Sequence, residues 1–444
     1  MKIKQFEDKP LAHYSYAILS EKDAKIVLID PSRDISPYLD YAKEQDAVIT
    51  AVIETHPHAD FISGHLELYH ATGATIYCSG LTGAAYPHIH FDDERTVTLG
   101  ECTLKAVNTP GHSPDSICVV LEQDGQDKAV FTGDTLFIGD CGRPDLRENT
   151  GKVSAKREVL AKQMYYSLRE KLMILHDDVI VYPAHGAGTL CGKALSEANQ
   201  STIGAEKKTN WSLQKLTEDA FTKMILEEQP FVPKYFPYDV SLNRMGAPDL
   251  TPALSRIPVV GESNRSDKNI IVIDTRPAPV FKQGHLPNSI NIQDGNKFET
   301  WLGSIISPEE KFYLVAETAE QLQQLMKRTA KIGYEPFIES AFVLQEGSEK
   351  TALIDPAIFK QQLSDFTIVD VRNESEMNES PVFPAAINIP LPELRERINE
   401  IPVNKPVVIH CAGGYRSAAG SSIVGNALGG QVEVYDLGEA IKEF

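Results

Sequence analysis

Two histidines one residue apart, His56 and His58, followed by Asp60, are the first residues of this chain whose types and spacing can do chemistry. Imidazole nitrogens and carboxylate oxygens are the donors that divalent transition metals take. Three more such residues follow: His112 in "TPGHSPDS", Asp134 in "FTGDTLF" and His185 in "YPAHG". A lone histidine at a strand end would be unremarkable. Six candidates on four successive loops favour a metal centre over a scatter of polar residues. A second kind of chemistry stands near the end of the chain, in "VVIHCAGGYRSAAGSSIVGNAL" (407–428). There an apolar strand runs into Cys411, a glycine-containing loop closes at Arg416, and an Ala- and Ser-rich helix follows. The helix would point its N-terminal N–H groups back at the sulfur, an environment that favours a sulfur anion, so Cys411 reads as a reactive thiol.

Rigid elements must carry these groups. "SYAILS" and "AKIVLID" predict a hairpin, "ISPYLDYAKEQD" has helical spacing, and "AVITAVIE" is a buried strand running straight into His56. "TVTLGECTLKAVNTPGH" predicts a hairpin turning at Gly100, and "SICVVLEQDGQDKAVFTGD" another turning at Asp124-Gly125. "VIVYPAHG" is one more strand. Four apolar strands therefore each deliver a His or Asp to the loop that follows, the usual way a sheet mounts a site. From 196 to 250 the pattern changes. "WSLQKLTEDAFTKMILEE" is helical, and a stretch rich in proline and aromatics reads as a connector packed on the first domain.

The remaining residues hold an internal repeat. "IIVIDTRPAPVFKQGHLPNSINI" (270–292) parallels "FTIVDVRNESEMNESPVFPAAINI" (366–389), pairing Asp274 with Asp370 and Arg276 with Arg372. "KFYLVAETAEQ" (311–321) parallels "PVVIHCAGGYR" (406–416), which sets Ala316 opposite Cys411. Each unit alternates strand and helix, as small domains with parallel sheets do.

A chain of 444 residues exceeds a single core, and two or three domains are expected. With 43 Lys and Arg against 62 Asp and Glu the formal charge is −19, which disfavours nucleic-acid binding. The N-terminal stretch lacks an uninterrupted apolar run, so no signal peptide and no membrane partner is expected. The six cysteines lack C-x-x-C spacing and read as cytosolic thiols, with a cytoplasmic location and a homo-oligomer expected.

The four loop motifs, in that order, resemble the metallo-β-lactamase superfamily over about residues 1–240. The resemblance implies an αβ/βα sandwich with the metal at one edge. In the two-metal hydrolases of that superfamily, such as glyoxalase II, a histidine follows the motif's Asp and ligates the second metal. Phe61 stands there in this chain, so one metal is implied. The persulfide dioxygenases of the superfamily hold a single iron, and their ligands correspond to His56, His112 and Asp134. Two imidazoles and one carboxylate suit Fe(II) and leave three positions open, whereas zinc hydrolysis needs only one. His58, Asp60 and His185 then orient ligands or bound water. "GDCGRPD" (139–145) is similar to the C-G-R-T-D of those enzymes, with Pro144 for the Thr. Arg143 is a candidate for binding the anionic end of a substrate, with a salt bridge as the alternative.

The loop C-A-G-G-Y-R resembles that of rhodaneses, whose cysteine carries sulfane sulfur, and "DVR" and "INIP" match the rest of that pattern over 355–444. Protein tyrosine phosphatases use a loop one residue longer. In the first repeat the loop "AETAEQ" has no cysteine and no glycine, which makes that domain catalytically dead. The fold class is therefore α/β: a metallo-β-lactamase sandwich over 1–250, connector 196–250 included, then rhodanese-like domains with parallel sheets at 251–353 (inactive) and 354–444 (active). The domain order resembles bacterial persulfide dioxygenase–sulfurtransferase fusions. That resemblance implies one Fe(II) per chain, a small thiol persulfide, dioxygen and sulfite as partners, and Cys411 with Arg416 as the transfer site. A zinc glyoxalase II-like thioesterase fused to a rhodanese, or a persulfide carrier without oxygenase activity, are the alternatives.

Overall fold

The computed structural model describes residues 1–148, 156–193, 195–261 and 267–444, which divide into two compact units. Unit 1 comprises Met1–Pro252 with Ala330–Gly333, and unit 2 comprises Ala253–Thr329 with Tyr334–Phe444.

Unit 1 holds two six-stranded sheets. The first runs in sequence order: β1 (Lys2–Asp8), β2 (His13–Ser20), β3 (Lys25–Ile29), β4 (Val48–Ile53), β5 (Thr75–Cys78) and β6 (Ile89–His90). The second runs β7 (Thr96–Leu99), β8 (Cys102–Asn108), β9 (Ile117–Gln123), β10 (Gln126–Gly133), β11 (Ile180–Pro183) and β12 (Ser201–Thr202). All three hairpins read from the sequence are present: β2 pairs antiparallel with β3, β7 with β8 and β9 with β10. The period-2 rule of strands explains the layering. Along β2, Tyr16 and Ile18 point into a core shared with Leu104, Val119, Leu121 and Phe131 of the second sheet. Ala17 and Leu19 point the other way, onto Tyr38 and Tyr41 of the helix Ser36–Glu44. On the second sheet Val120, Val130 and Val181 face outward onto Met164, Ile203 and Phe221 of the covering helices. Each fully buried side chain of this size stabilises by about 1.5–3 kcal/mol, so both faces of both sheets hold the sandwich together. The αβ/βα arrangement expected from the motifs is the one observed.

The connector is more structured than its composition suggested. It contains the helices Glu218–Leu226 and Phe236–Met245. The stretch before Glu218 is not part of the first of these: Trp211–Leu213 forms a short 3-10 turn, and Thr217 caps the helix by accepting the Ala220 N–H.

Unit 2 holds two four-stranded sheets, parallel throughout and of identical order. One is β14 (Ser289–Asn291), β13 (Ile271–Asp274), β15 (Phe312–Ala316), β16 (Ile338–Val343); the other is β18 (Ile387–Asn388), β17 (Thr367–Asp370), β19 (Val407–His410), β20 (Val434–Asp436). The register confirms the repeat. Asp274 lies opposite Val315 and Asp370 opposite His410, so the next residues, Ala316 and Cys411, are equivalent. In both repeats the Asp grips the Arg two residues on, at 2.6 Å for Asp274–Arg276 and 2.6 Å for Asp370–Arg372. Among the described residues, no helix is long and apolar enough to cross a membrane.

Candidate metal centre and thiol loop

His56 follows β4, and its loop is set by Asp30 at the end of β3. Asp30 accepts the Thr55 N–H at 2.7 Å and the Thr55 hydroxyl at 2.8 Å. That leaves the Thr55 oxygen to accept from His56 Nδ1 at 3.1 Å. His112 Nδ1 likewise donates to the Arg143 carbonyl at 2.9 Å. Both rings are thereby fixed as the Nδ1–H tautomer, with Nε2 left as a lone-pair donor. Burial, followed for His56 by the neighbouring His58, pushes His56 well below the usual imidazole range and keeps it neutral. Burial also lowers His112.

Asp134 follows β10 at the same edge. Its Oδ1 accepts from His185 Nδ1 at 2.8 Å, while Oδ2 is buried with no hydrogen-bond partner. That oxygen lies 3.8 Å from His56 Nε2 and 3.5 Å from His112 Nε2, and His56 Nε2 is also buried and unpartnered. The three donor atoms lie within 4.8 Å of one another. Ligand bonds of about 2.0–2.2 Å from a common ion put neighbouring donors about 3–4 Å apart, so the donors present fit a metal ion.

His58, Asp60 and His185 stand beside this triad. His58 Nε2 lies 3.1 Å from Asp30 Oδ1. His185 sits between two carboxylates, 2.8 Å from Asp134 Oδ1 and 2.8 Å from Asp60 Oδ2. Burial opposes its charge, but Asp134 and Asp60 override burial and hold the imidazole well above its usual range. Burial works against an ionised Asp134 too, and His185, through its charge and its hydrogen bond, holds the carboxyl well below the carboxylate range. Two further buried groups, Asp60–His185–Cys191 and Asp30–Glu54–His58, also bring potential donors within 4.8 Å. In the former, His185 has both nitrogens facing carboxylates, and burial followed by Asp60 pushes the Cys191 thiol well up. Cys191 therefore offers no thiolate to a cation there. Phe61 is buried against these groups, its ring 3.8 Å from His13 and 4.3 Å from His58.

The Arg143 guanidinium is engaged: it donates to Asp145 at 2.8 and 2.6 Å and to the Leu190 carbonyl at 3.2 Å. Cys141 is buried, and burial followed by Asp140 raises its thiol well above the usual range.

Sequence reasoning missed Asn243 and His13. From the helix Phe236–Met245, Asn243 Nδ2 donates to the carbonyls of His58 (2.8 Å) and Phe61 (2.7 Å), and its Oδ1 accepts the Ser63 N–H at 2.9 Å. One amide from the connector thus holds the whole turn after His58. His13 is buried with Nε2 unpartnered. Its position in the alternating strand "HYSYAILS" was the only signal.

In unit 2, Cys411 follows β19 and is buried, its sulfur accepting the Gly414 N–H at 3.1 Å. Gly414, at φ 99°, makes the turn into the helix Tyr415–Leu428. Arg416 pairs with Glu376 at 2.5 and 2.8 Å. The first repeat abuts this loop: Tyr415 donates to the Gln293 carbonyl at 2.6 Å, and the Arg416 guanidinium carbon is 6.0 Å from the Trp301 ring centre.

These features define a metal-binding sandwich domain followed by two rhodanese-like domains. Residues 8–185 match the metallo-beta-lactamase superfamily, and residues 261–352 and 355–444 match the rhodanese-like domain. The chain is 30% identical to the human protein named "Persulfide dioxygenase ETHE1, mitochondrial" over 185 residues, 41% of this chain and 67% of that protein. It is also 30% identical over 176 residues to a "Probable hydroxyacylglutathione hydrolase" of Schizosaccharomyces pombe, 39% of this chain and 63% of that one. The chain thus spans about two thirds of these relatives' length. A crystal structure titled as a metallo-beta-lactamase from Staphylococcus aureus subsp. aureus COL is 30% identical, with a TM-score of 0.69, covering 78% of this chain and 99% of that one. The chain belongs to the metallo-beta-lactamase superfamily and carries two rhodanese-like domains behind that domain.

Proposed function

We propose that residues 1–250 form an iron-dependent persulfide dioxygenase, 251–353 an inactive rhodanese-like domain, and 354–444 an active rhodanese. The observation that carries this reading is the donor set of His56 Nε2, His112 Nε2 and Asp134 Oδ2, with Phe61 packed where a hydrolase has a further ligand. A ferrous ion held by those three residues would supply open positions at which a sulfur anion and dioxygen can meet. In balance, a persulfide anion, dioxygen and water give a thiol, sulfite and a proton.

The surrounding residues have separable tasks. Thr55 and the Arg143 carbonyl orient the imidazoles. His185 holds the Asp60 and Asp134 carboxylates together without a second cation, and His58 anchors on Asp30. The Arg143 guanidinium pins its loop through Asp145, and an anionic substrate would have to draw it from that partner. Cys411 takes sulfane sulfur from a persulfide and passes it to sulfite, giving thiosulfate, with Arg416 receiving the anion. The product of one site is the acceptor at the other, and tethering raises its effective concentration.

The test is anaerobic purification, iron loading and oxygen-electrode assay with glutathione persulfide. One dioxygen consumed per sulfite formed is expected, and an iron form that takes up no oxygen ends the proposal. Similarity to a protein named a hydroxyacylglutathione hydrolase favours a second reading, a zinc thioesterase. Two zincs per chain and thioester cleavage without oxygen would support it.

A further inference from the structure

The loop-closing arginine of unit 2 already has an anion. Arg416 Nη1 donates to Glu376 Oε2 at 2.5 Å and Nη2 to Oε1 at 2.8 Å, the end-on fork that guanidinium also offers to small oxyanions. Glu376 is held in place from its own helix, because its Oε2 accepts the Asn373 N–H at 3.1 Å in a capping box. Trp301 flanks the guanidinium. The Arg416 side chain is 15% exposed and the Glu376 side chain 36%, so the carboxylate is the half of the pair that solvent reaches and that an incoming anion can replace.

We propose that Glu376 sets the acceptor specificity of the thiol loop by competing with small oxyanions for Arg416. Sulfite enters by displacing a carboxylate, whereas an uncharged thiol acceptor has nothing to displace. This inference rests on the rhodanese reading above. In the transfer, a lone pair on the sulfite sulfur attacks the outer sulfur of the Cys411 persulfide. The new S–S bond makes thiosulfate, the bond to Cys411 breaks, and the Cys411 thiolate leaves with its electron pair. No external oxidant or reductant is required.

The experiment uses the full chain, kept anaerobic so that only sulfur exchange is read. Cys411 is loaded from glutathione persulfide, and initial rates are measured with sulfite and with 2-mercaptoethanol as acceptors. Glu376→Gln removes the charge but can still accept the capping N–H, so the helix start survives. The expected result is a KM for sulfite lowered by about tenfold, the order of one lost charge-assisted pair, with kcat and the KM for mercaptoethanol within about twofold of wild type. Glu376→Asp, which restores the charge, returns the sulfite KM toward wild type. A sulfite KM that is unchanged or raised, or that moves in step with the mercaptoethanol KM, overturns the inference while leaving the rhodanese reading intact. A wild-type chain that transfers no sulfur to sulfite overturns both.

Discussion

Replacing Asn243 by Ala tests how the turn after His58 is held. The Asn243 side chain is buried and makes three hydrogen bonds to the backbone of residues 58–63: two as donor, to His58 and Phe61, and one as acceptor, from Ser63. Each such bond contributes about 1 kcal/mol net, and each buried group left without a partner costs about 1–3 kcal/mol. The turn should therefore lose about 3 kcal/mol of local stability if water enters the vacated space, and more if the space stays dry. Local opening is read by hydrogen exchange of the peptide spanning residues 58–65, where 3 kcal/mol corresponds to about a hundredfold faster exchange. Asn243→Asp sharpens the test. It keeps an acceptor for Ser63 but turns a carboxylate oxygen on two carbonyls, so its exchange should be at least as fast as that of the alanine variant. Protection within about threefold of wild type in both variants would refute the assignment of Asn243 as the brace.

Three other outcomes follow from the geometry. Thr55→Val removes the acceptor that fixes the His56 tautomer and should weaken metal affinity by about 10–100-fold in a chelator competition, with little change in fold. Phe61→His places an imidazole beside Asp60 and His185. Zinc-loaded variant protein should then carry more metal per chain than wild type by elemental analysis, and unchanged stoichiometry would show that Phe61 does not determine the metal count. Cys411→Ser should abolish persulfide labelling of the chain by mass spectrometry and thiosulfate formation, while oxygen uptake by the iron form persists and sulfite accumulates.

Much of the frame was legible because its signals are local. Strand alternation in "HYSYAILS" places two faces on two cores, and Asp124-Gly125, both at positive φ, marks the turn between β9 and β10. The Asp–Arg pairs of the repeat lie two residues apart and could be aligned by eye. The helix start at Glu218 was also written locally, as Thr217 followed by Glu218 and Asp219, but helical spacing across 211–228 obscured it. The rest of the site was not legible, for a different reason. Asn243 reaches carbonyls 185 and 182 residues away, and Glu376 meets Arg416 from 40 residues off. Polar contacts of that kind have no periodicity, and only the closed fold brings the partners together. The sequence leaves open a salt bridge for Arg143 but names no partner, and only the folded loop shows a buried guanidinium held by Asp145.

The matched sheets of unit 2 carry a further consequence. The buried Asp–Arg grip and the asparagine that donates to both carbonyls of that turn, Asn291 in one repeat and Asn388 in the other, recur whether or not a cysteine follows the central strand. The chassis and the reactive segment are thus mechanically independent. A domain of this kind can lack the cysteine without losing its shape, and then serve as a fixed bearing surface for the neighbouring copy.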